Sequence, residues 1–388
     1  MSSLAYDVVI VGGGPTGAAL AIALRHSGLA VLVLEARPVA SGSNDARTLA
    51  MSYGSRLILE RLGIWSQLEP VTPIESIHVS QRGGFGRTLL SADEAGLPAL
   101  GYVVRYARLQ QALGPAIESE HTTLIAGAEV TSMNSTEERV CIGFRRQGTT
   151  QSATARLLVI ADGGASAGLG AGANVRVREY GQDAVVGLVE TSQPHGCKAY
   201  ERFTPDGPIA LLPFESRYAL VWTVTPETAI GLMKLRANGF LEKLQRHFGD
   251  RAGRFISVEA RARFPLILRY AADPVLPRTV MLGNAAQTLH PIAGQGFNLG
   301  LRDAWELGET LLLHATGDPG CGECLSDYRA VRRPDRLQGI ALTHSLVKIF
   351  SNDLVLLRAT RGVALALLDL IPPVKRAFMQ RMIFGASR

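Results

Sequence analysis

The chain has 388 residues, 47% of them hydrophobic and 19% charged, which supplies a large apolar core and room for two interwoven domains. Forty Lys and Arg against 34 Asp and Glu give a net charge of +6 with no basic block and no nucleic-acid motif, which argues against nucleic acid as a partner. Four cysteines are too few for a disulfide framework, and no run of ~18 or more apolar residues is available to span a bilayer.

The chain opens on "DVVIV" at 7–11, an apolar run of strand length, and "VLVL" at 31–34 is a second. Between them "GAALAIALRHSG" is rich in helix formers and closes at Gly28, a residue suited to a helix C-terminus. Strand, glycine turn, helix and strand make a βαβ unit of a parallel sheet. A second helix is expected over 50–62, ending at Gly63. The short runs "TTLIAGAEVTSM" and "ERVCIGFRRQG" read as strands, and "ARLLVIADGG" reads as a buried one. From about 175 to 265 several more strand-like pieces follow, including "PIALLPF" and "YALVWTV", which suggest an inserted, mostly antiparallel sheet.

The apolar strand "TVMLGNAA" begins at 279, followed by the turn "HPIAGQG" and a helix from about 297. Phe297, Leu301, Trp305, Gly308 and Leu312 give that helix a core-facing stripe. The remainder is helical and leucine-rich. The expected fold class is therefore α/β: a Rossmann-like dinucleotide domain with a parallel sheet, interwoven with a mostly antiparallel-sheet domain and closed by a helical C-terminus. Residues 1–174 form the first part of the nucleotide domain, 175–270 the inserted sheet that would take the substrate, and 271–388 the last part with the C-terminal helices. No signal peptide precedes the first strand, so the expected location is cytoplasmic.

Gly12-Gly13-Gly14-Pro15-Thr16-Gly17 fits G-x-G-x-x-G. Gly12 permits the tight turn, Gly14 lets the backbone approach a pyrophosphate, and Gly17 lets helix and strand pack closely, while the helix N-terminus offers free N–H groups. Glu35, 18 residues after Gly17, stands at the end of the second strand, where a carboxylate can accept from ribose hydroxyls. Strand, helix, strand and acid in register point to an ADP-containing cofactor without saying which. Cys321 and Cys324 form a lone C-x-x-C with no second pair to complete a metal site, and are read as a loop with two incidental thiols. No metal is expected.

Two further stretches, "VIADGGASAGLG" at 159–170 and "GNAAQTLHPIAGQGFNLGLRDA" at 283–304, carry a resemblance. With the opening glycines they resemble the FAD-dependent aromatic hydroxylases related to p-hydroxybenzoate hydroxylase. Within that group the chain looks most like the ubiquinone-biosynthesis hydroxylases, in particular the 2-polyprenyl-6-methoxyphenol (2-octaprenyl-6-methoxyphenol) hydroxylase branch. The run Gly283–Asp303, "ERFTPDGPIALLPF" and the tail "LDLIPPVKRAFMQRMIFG" carry that narrower likeness, and it covers essentially the whole chain.

The resemblance implies that Gly12, Gly14, Pro15, Gly17 and Glu35 hold the ADP half of FAD, with Arg47 near the pyrophosphate and ring. It places Arg105 and Val130 in regions lining the adenine end, and Asp162 in the motif shared by FAD and nicotinamide. Gly283, Asn284, Pro291, Gly294, Gly296 and Phe297 would border the flavin, with the helix dipole favouring negative charge on the reduced ring. Two departures stand out. Leu169 or its neighbours fill the place of a usual arginine after the central D-G, which leaves the mode of NAD(P)H contact open. Asn284 stands where most of the group has aspartate; its amide keeps a carbonyl acceptor.

His290 has two readings: a group bordering the flavin or phenol, and so the candidate catalytic residue, or a hydrogen-bonded core histidine. His26, His247 and His344 lie in helical segments and read as structural or exposed. The implied activity is NAD(P)H-dependent, O2-consuming hydroxylation of a polyprenyl phenol through a flavin C4a-hydroperoxide, though no residue is recognisable as the base that activates the phenol. The alternatives are a sister hydroxylase acting at another ring position, a hydroxylase of another aromatic, a non-monooxygenase flavoprotein such as a geranylgeranyl reductase, and a non-catalytic flavin-binding scaffold. The basic tail (Arg358, Arg361, Lys375, Arg376, Arg381 and Arg388 against Asp353 and Asp369) is a candidate contact to the inner-membrane surface or to other ubiquinone-biosynthesis enzymes, or else a helix pair packed on its own domain.

Overall fold

The computed structural model describes residues 4–38, 47–166, 173–350 and 355–386. Its first strand, Leu4–Val11, lies at the centre of a sheet, paired in parallel with Val31–Glu35 on one side and with Thr149–Ile160 on the other. Thr122–Ala126 and Thr279–Met281 extend the parallel set outward. Val8, Val9 and Ile10 are fully buried because both sheet faces are covered, which is why this strand reads as an unbroken apolar run and not as an alternation. One face carries the helices Pro15–Ala23 and Gln295–Leu313. The other carries an antiparallel arm, Ala128–Ser135 with Val140–Arg146, hydrogen-bonded to Thr149–Ile160.

The two helices meet through glycine. A Cβ on Gly308 would stand 3.0 Å from the Ala23 Cβ, and one on Gly300 would stand 2.9 Å from the Gly283 Cα. That close approach brings the two helix N-termini to one end of the sheet, beyond the C-terminal ends of its strands, where α/β sheets bind ligands.

The second sheet has eight strands, and Val175–Thr191 and Phe255–Ala271 form its long antiparallel pair. Arg217–Val224, Gly207–Phe214 and Lys198–Thr204 continue it. Ser76–Gln81 and Arg87–Ser91 extend it to one edge and Gln287–Thr288 forms the other, so two of its strands come from a stretch well before residue 175. Side chains alternate along these strands. Ile209, Leu211, Leu220 and Trp222 face the helices Pro226–Lys234 and Ala237–Phe248 in one core, while Leu212, Ala219 and Ala199 face the nucleotide domain in another.

Three expectations need correction. The second helix starts at Tyr53, not at 50, because Thr48–Ser52 pairs with Gly101–Arg105 as a strand and the Ser52 hydroxyl caps the helix by accepting from the Ser55 N–H at 3.2 Å. The stripe on Gln295–Leu313 buries Leu301 and Gly308 but leaves Leu312 41% exposed. Cys324 is not in a loop: it sits buried in the first turn of the long helix Gly322–Phe350, where burial pushes its thiol up to about 12. No cluster of metal-ligating side chains occurs among the described residues.

The tail forms the helices Val355–Leu370 and Pro372–Phe384, which dock on the chain's own surface. Lys375 is buried between Glu94 at 2.7 Å and Asp369 at 3.2 Å, the Ala386 N–H donates to Asp335, and Arg381 bonds Gln338. Part of the tail's positive charge is therefore consumed internally. Arg388 lies outside the described residues. No helix among the described residues is long and apolar enough to cross a membrane.

Candidate active site

A cleft of about 980 Å³ runs from the glycine turn, past the end of Val31–Glu35, to the face of the second sheet. That volume is at the upper end for a small-molecule site. The turn after Leu4–Val11 is closed by contact. A Cβ on Gly12 would lie 2.6 Å from the Ala161 carbonyl oxygen, and one on Gly17 would lie 2.0 Å from the Gly12 carbonyl oxygen. Gly14 is the opposite case: a Cβ there meets nothing within 4 Å, because it points into the cleft that Gly14 lines.

Gly12, Gly14, Pro15 and Thr16 line one end of the cleft, at the first turn of Pro15–Ala23, which presents backbone N–H groups without internal partners. The Glu35 carboxylate accepts from the Gly13 N–H at 2.7 Å and from the Arg37 N–H and Nε at 3.0 and 2.8 Å. Burial raises the Glu35 carboxyl, but these hydrogen bonds and the Arg37 charge outweigh it and hold the carboxyl below its ordinary range. It stands ionised at the cleft wall, an acceptor for hydroxyls. A cradle of N–H donors, an open glycine and a terminal carboxylate in this order fit the phosphates and ribose of a dinucleotide.

The other expected residues fall along the same cleft, with two exceptions. Arg47, Val130, Asp162, Gly283, Asn284, Pro291, Gly294, Gly296 and Phe297 all line it. Arg47 stacks on the Tyr106 ring at 4.8 Å, and the Asp162 carboxylate accepts from the Gly164 and Ser166 N–H groups, which fixes the loop it opens. Leu169 lies outside the described residues. Arg105 is the first exception. Its guanidinium bonds the Glu215 carboxylate at 3.1 Å and lies over the Phe214 ring, and Arg105 is not among the residues that line the cleft.

His290 is the second exception. Leu289 and Pro291 line the cleft, but the ring between them is fully buried behind the wall, edge-to-face against Tyr180. Its Nδ1 accepts from the Ile292 N–H at 3.2 Å, and burial lowers its pKa to about 4, so the ring is neutral at neutral pH. Of its two readings, this geometry fits the interior one. His344 has companions that the sequence did not reveal, with one ring nitrogen 3.3 Å from the Tyr180 hydroxyl and the other 3.2 Å from Arg178.

Several residues of the site were missed. Asn298, 3% exposed, satisfies all its amide positions: its Oδ1 accepts from the Ser52 N–H and the Ser55 hydroxyl, while its Nδ2 donates to the Ala50 and Gly294 carbonyls. It pins the cleft wall at Leu49 and Ala50 to the helix start at Gly294. Behind the late motif lies a buried charge network. Asp303 accepts from the Gly283 N–H at 3.2 Å, from Gln287 Nε2 at 2.6 Å and from both Nε and Nη2 of Arg332. Arg332 and Arg302 share Asp335, and Arg336 holds Gln287 and the Ala271 carbonyl. These groups are scattered between Ala271 and Arg336, and no spacing rule joins them.

The comparisons with known proteins agree with this geometry. Residues 5–339 match the family model for the FAD binding domain. The chain is 36% identical over 383 residues to ubiquinone hydroxylase UbiL of Rhodospirillum rubrum, covering 96% of this chain and 88% of that protein. It is 31% identical to 3-demethoxyubiquinol 3-hydroxylase of Escherichia coli, covering 97% and 98%. Among solved structures, p-nitrophenol 4-monooxygenase of Pseudomonas putida superposes with a TM-score of 0.81 over the full length of both chains at 17% identity, a likeness of fold.

Proposed function

The chain belongs to the FAD-binding domain family of aromatic monooxygenases, and on that premise we propose that it hydroxylates the ring of a polyprenylated methoxyphenol in ubiquinone biosynthesis. FAD is its cofactor and NAD(P)H its co-substrate. When bound, FAD takes two electrons from the nicotinamide and activates O2 for transfer of one oxygen atom to the ring.

The observation that carries the reading is the continuity of the cleft from the dinucleotide cradle to the apolar side chains Leu212 and Val221 of the second sheet. We assign Gly12, Gly14, Pro15, Gly17 and Glu35 to the ADP half. Arg47 and Asp162 belong to the middle of the cofactor, and Gly283, Asn284, Pro291, Gly294, Gly296 and Phe297 to its ring end. The ring end then opens on Leu212 and Val221, an apolar wall suited to a prenyl chain.

Purified protein should be yellow, and 2-prenyl-6-methoxyphenol should stimulate its NAD(P)H oxidation and leave as a product heavier by one oxygen atom. Protein that cannot be reconstituted with FAD, or no stimulation by any phenol of this class, overturns the reading; the second outcome favours a scaffold. The name of the Escherichia coli relative supports a second reading, hydroxylation at another ring position, which the position of the new oxygen decides.

A polyprenyl substrate resides in a bilayer, and the last two helices with Ile371 between them expose Val363, Leu367, Leu370, Ile371 and Val374 beside Phe85 and Leu89. This apolar stripe supports peripheral membrane contact. The protein should float with vesicles, and Leu370→Glu with Val374→Glu should abolish flotation. Flotation unchanged by the pair would refute this face as the contact.

A further inference from the structure

Hydroxylation of a phenol is fastest when the ring is electron-rich, as it is in the phenolate, and the sequence names no base. The second sheet holds one carboxyl suited to that task. Glu201 lies on Lys198–Thr204, whose side chains alternate: Tyr200 joins the core under the helices Pro226–Lys234 and Ala237–Phe248, while Ala199 and Phe203 face the nucleotide domain. Glu201 shares their face. Its cross-strand partner is Ala210, whose partner in turn is Val221, so Glu201 stands two strands along the same row from a cleft-wall residue. At ~4.8 Å per strand that is a separation of about 10 Å between backbones, within the span of one phenol and one carboxyl side chain.

Glu201 as a residue keeps some accessible surface while its carboxyl lies deep in the protein, two strands from the cleft wall. It has no hydrogen bond or ion pair with any described residue. The titratable and charged groups on the elements packed against this face are His290 beyond the sheet, Tyr180, His344 and Lys348 near the helix Gly322–Phe350, and Arg361 on Val355–Leu370. None of them bonds the carboxyl. An unpartnered carboxyl held away from water is costly to the fold and is found where a reaction uses it.

We infer that Glu201 is the group that takes the proton from the substrate's phenolic hydroxyl. This rests on the phenol-hydroxylase reading above. The phenol O–H bond breaks, a carboxyl O–H bond forms, and the electron pair stays on the ring oxygen. The ring carbon then takes one oxygen atom of O2, the other leaves as water, and the nicotinamide supplies the two electrons.

Burial pushes the Glu201 carboxyl from 4.5 up to about 8. A phenol near 10 is then mismatched with its base by about two orders of magnitude, where an ordinary carboxylate would be mismatched by between five and six. Glu201 is half ionised near pH 8, so hydroxylation should rise with pH through that value.

The test is Glu201→Gln in the FAD-loaded enzyme with 2-prenyl-6-methoxyphenol. FAD content should be unchanged, the hydroxylation rate should fall about a hundredfold, and the rising limb near pH 8 should disappear, with Glu201→Asp recovering part of the rate. The glutamine variant should also melt higher than wild type. Between pH 4.5 and 8 the unfolded chain ionises this group while the folded one does not, which favours unfolding of wild type only, so the gap should widen up to pH 8 and then level off. Unchanged rate and pH limb in the variant, with wild type active, overturn the role of Glu201 alone. Inactive wild type overturns the phenol reading instead. If the glutamine variant fails to fold, the absorbance of the bound substrate in wild type decides: appearance of phenolate with a midpoint near 8 supports the role, and neutral phenol through pH 9 refutes it.

Discussion

Asp303→Ala is expected to lower the unfolding free energy by about 3–5 kcal/mol, the cost of leaving a buried cation without its partner. Arg332 is 3% exposed and makes two hydrogen bonds to Asp303, and the buried set holds three guanidinium groups (Arg302, Arg332, Arg336) against two carboxylates (Asp303, Asp335). Removing one carboxylate leaves three positive charges facing one negative. The same change frees the Gly283 N–H and the Gln287 amide, which hold the backbone at the ring end of the cleft. FAD should therefore be lost on gel filtration at temperatures where the remaining fold persists. Urea titration of the apoprotein measures the first effect and flavin absorbance the second. A loss under about 1 kcal/mol would mean that water enters and satisfies Arg332. Asp303→Leu combined with Arg332→Met should be less damaging than Asp303→Ala alone, because removing both charges leaves fewer unpaired ones.

That network also marks where sequence reading stops. The βαβ unit was legible because its signals are local: an apolar run buried on both faces, a glycine turn, a helix of Ala and Leu, and an acid at the next strand end. The late motif was legible because Gly283, Pro291, Gly294 and Gly296 lie within a short stretch whose backbone must come close to something. The partner of Arg105 was not legible because a solvent-side arginine takes whatever carboxylate the fold brings near, and Glu215 arrives from a hairpin 110 residues away. The two strands Ser76–Gln81 and Arg87–Ser91 were hidden for a related reason. They join the second sheet through a parallel pairing with Lys198–Thr204, and nothing local in either segment names that partner. Glu201 was invisible in the same way, since the row Val221–Ala210–Glu201 exists only once the register is known.

The glycine turn offers a sharper test, because two of its glycines should fail for different reasons. Alanine in place of a helical glycine ordinarily stabilises by about 0.5–1 kcal/mol. Gly17→Ala should reverse that sign, costing about 1–3 kcal/mol in the apoprotein, because its Cβ would sit 2.0 Å from the Gly12 carbonyl oxygen and must push helix and strand apart. Gly14→Ala should leave the apoprotein as stable as wild type: its φ of −66° suits any residue, and a Cβ there touches nothing within 4 Å. That open space is where a pyrophosphate would lie against the backbone. Gly14→Ala should accordingly weaken FAD binding at least tenfold, measured by flavin fluorescence during titration, while its apoprotein melting temperature stays put. An alanine at 14 that binds FAD as wild type does would mean the pyrophosphate keeps its distance from the turn, and the assignment of the cradle would fall with it.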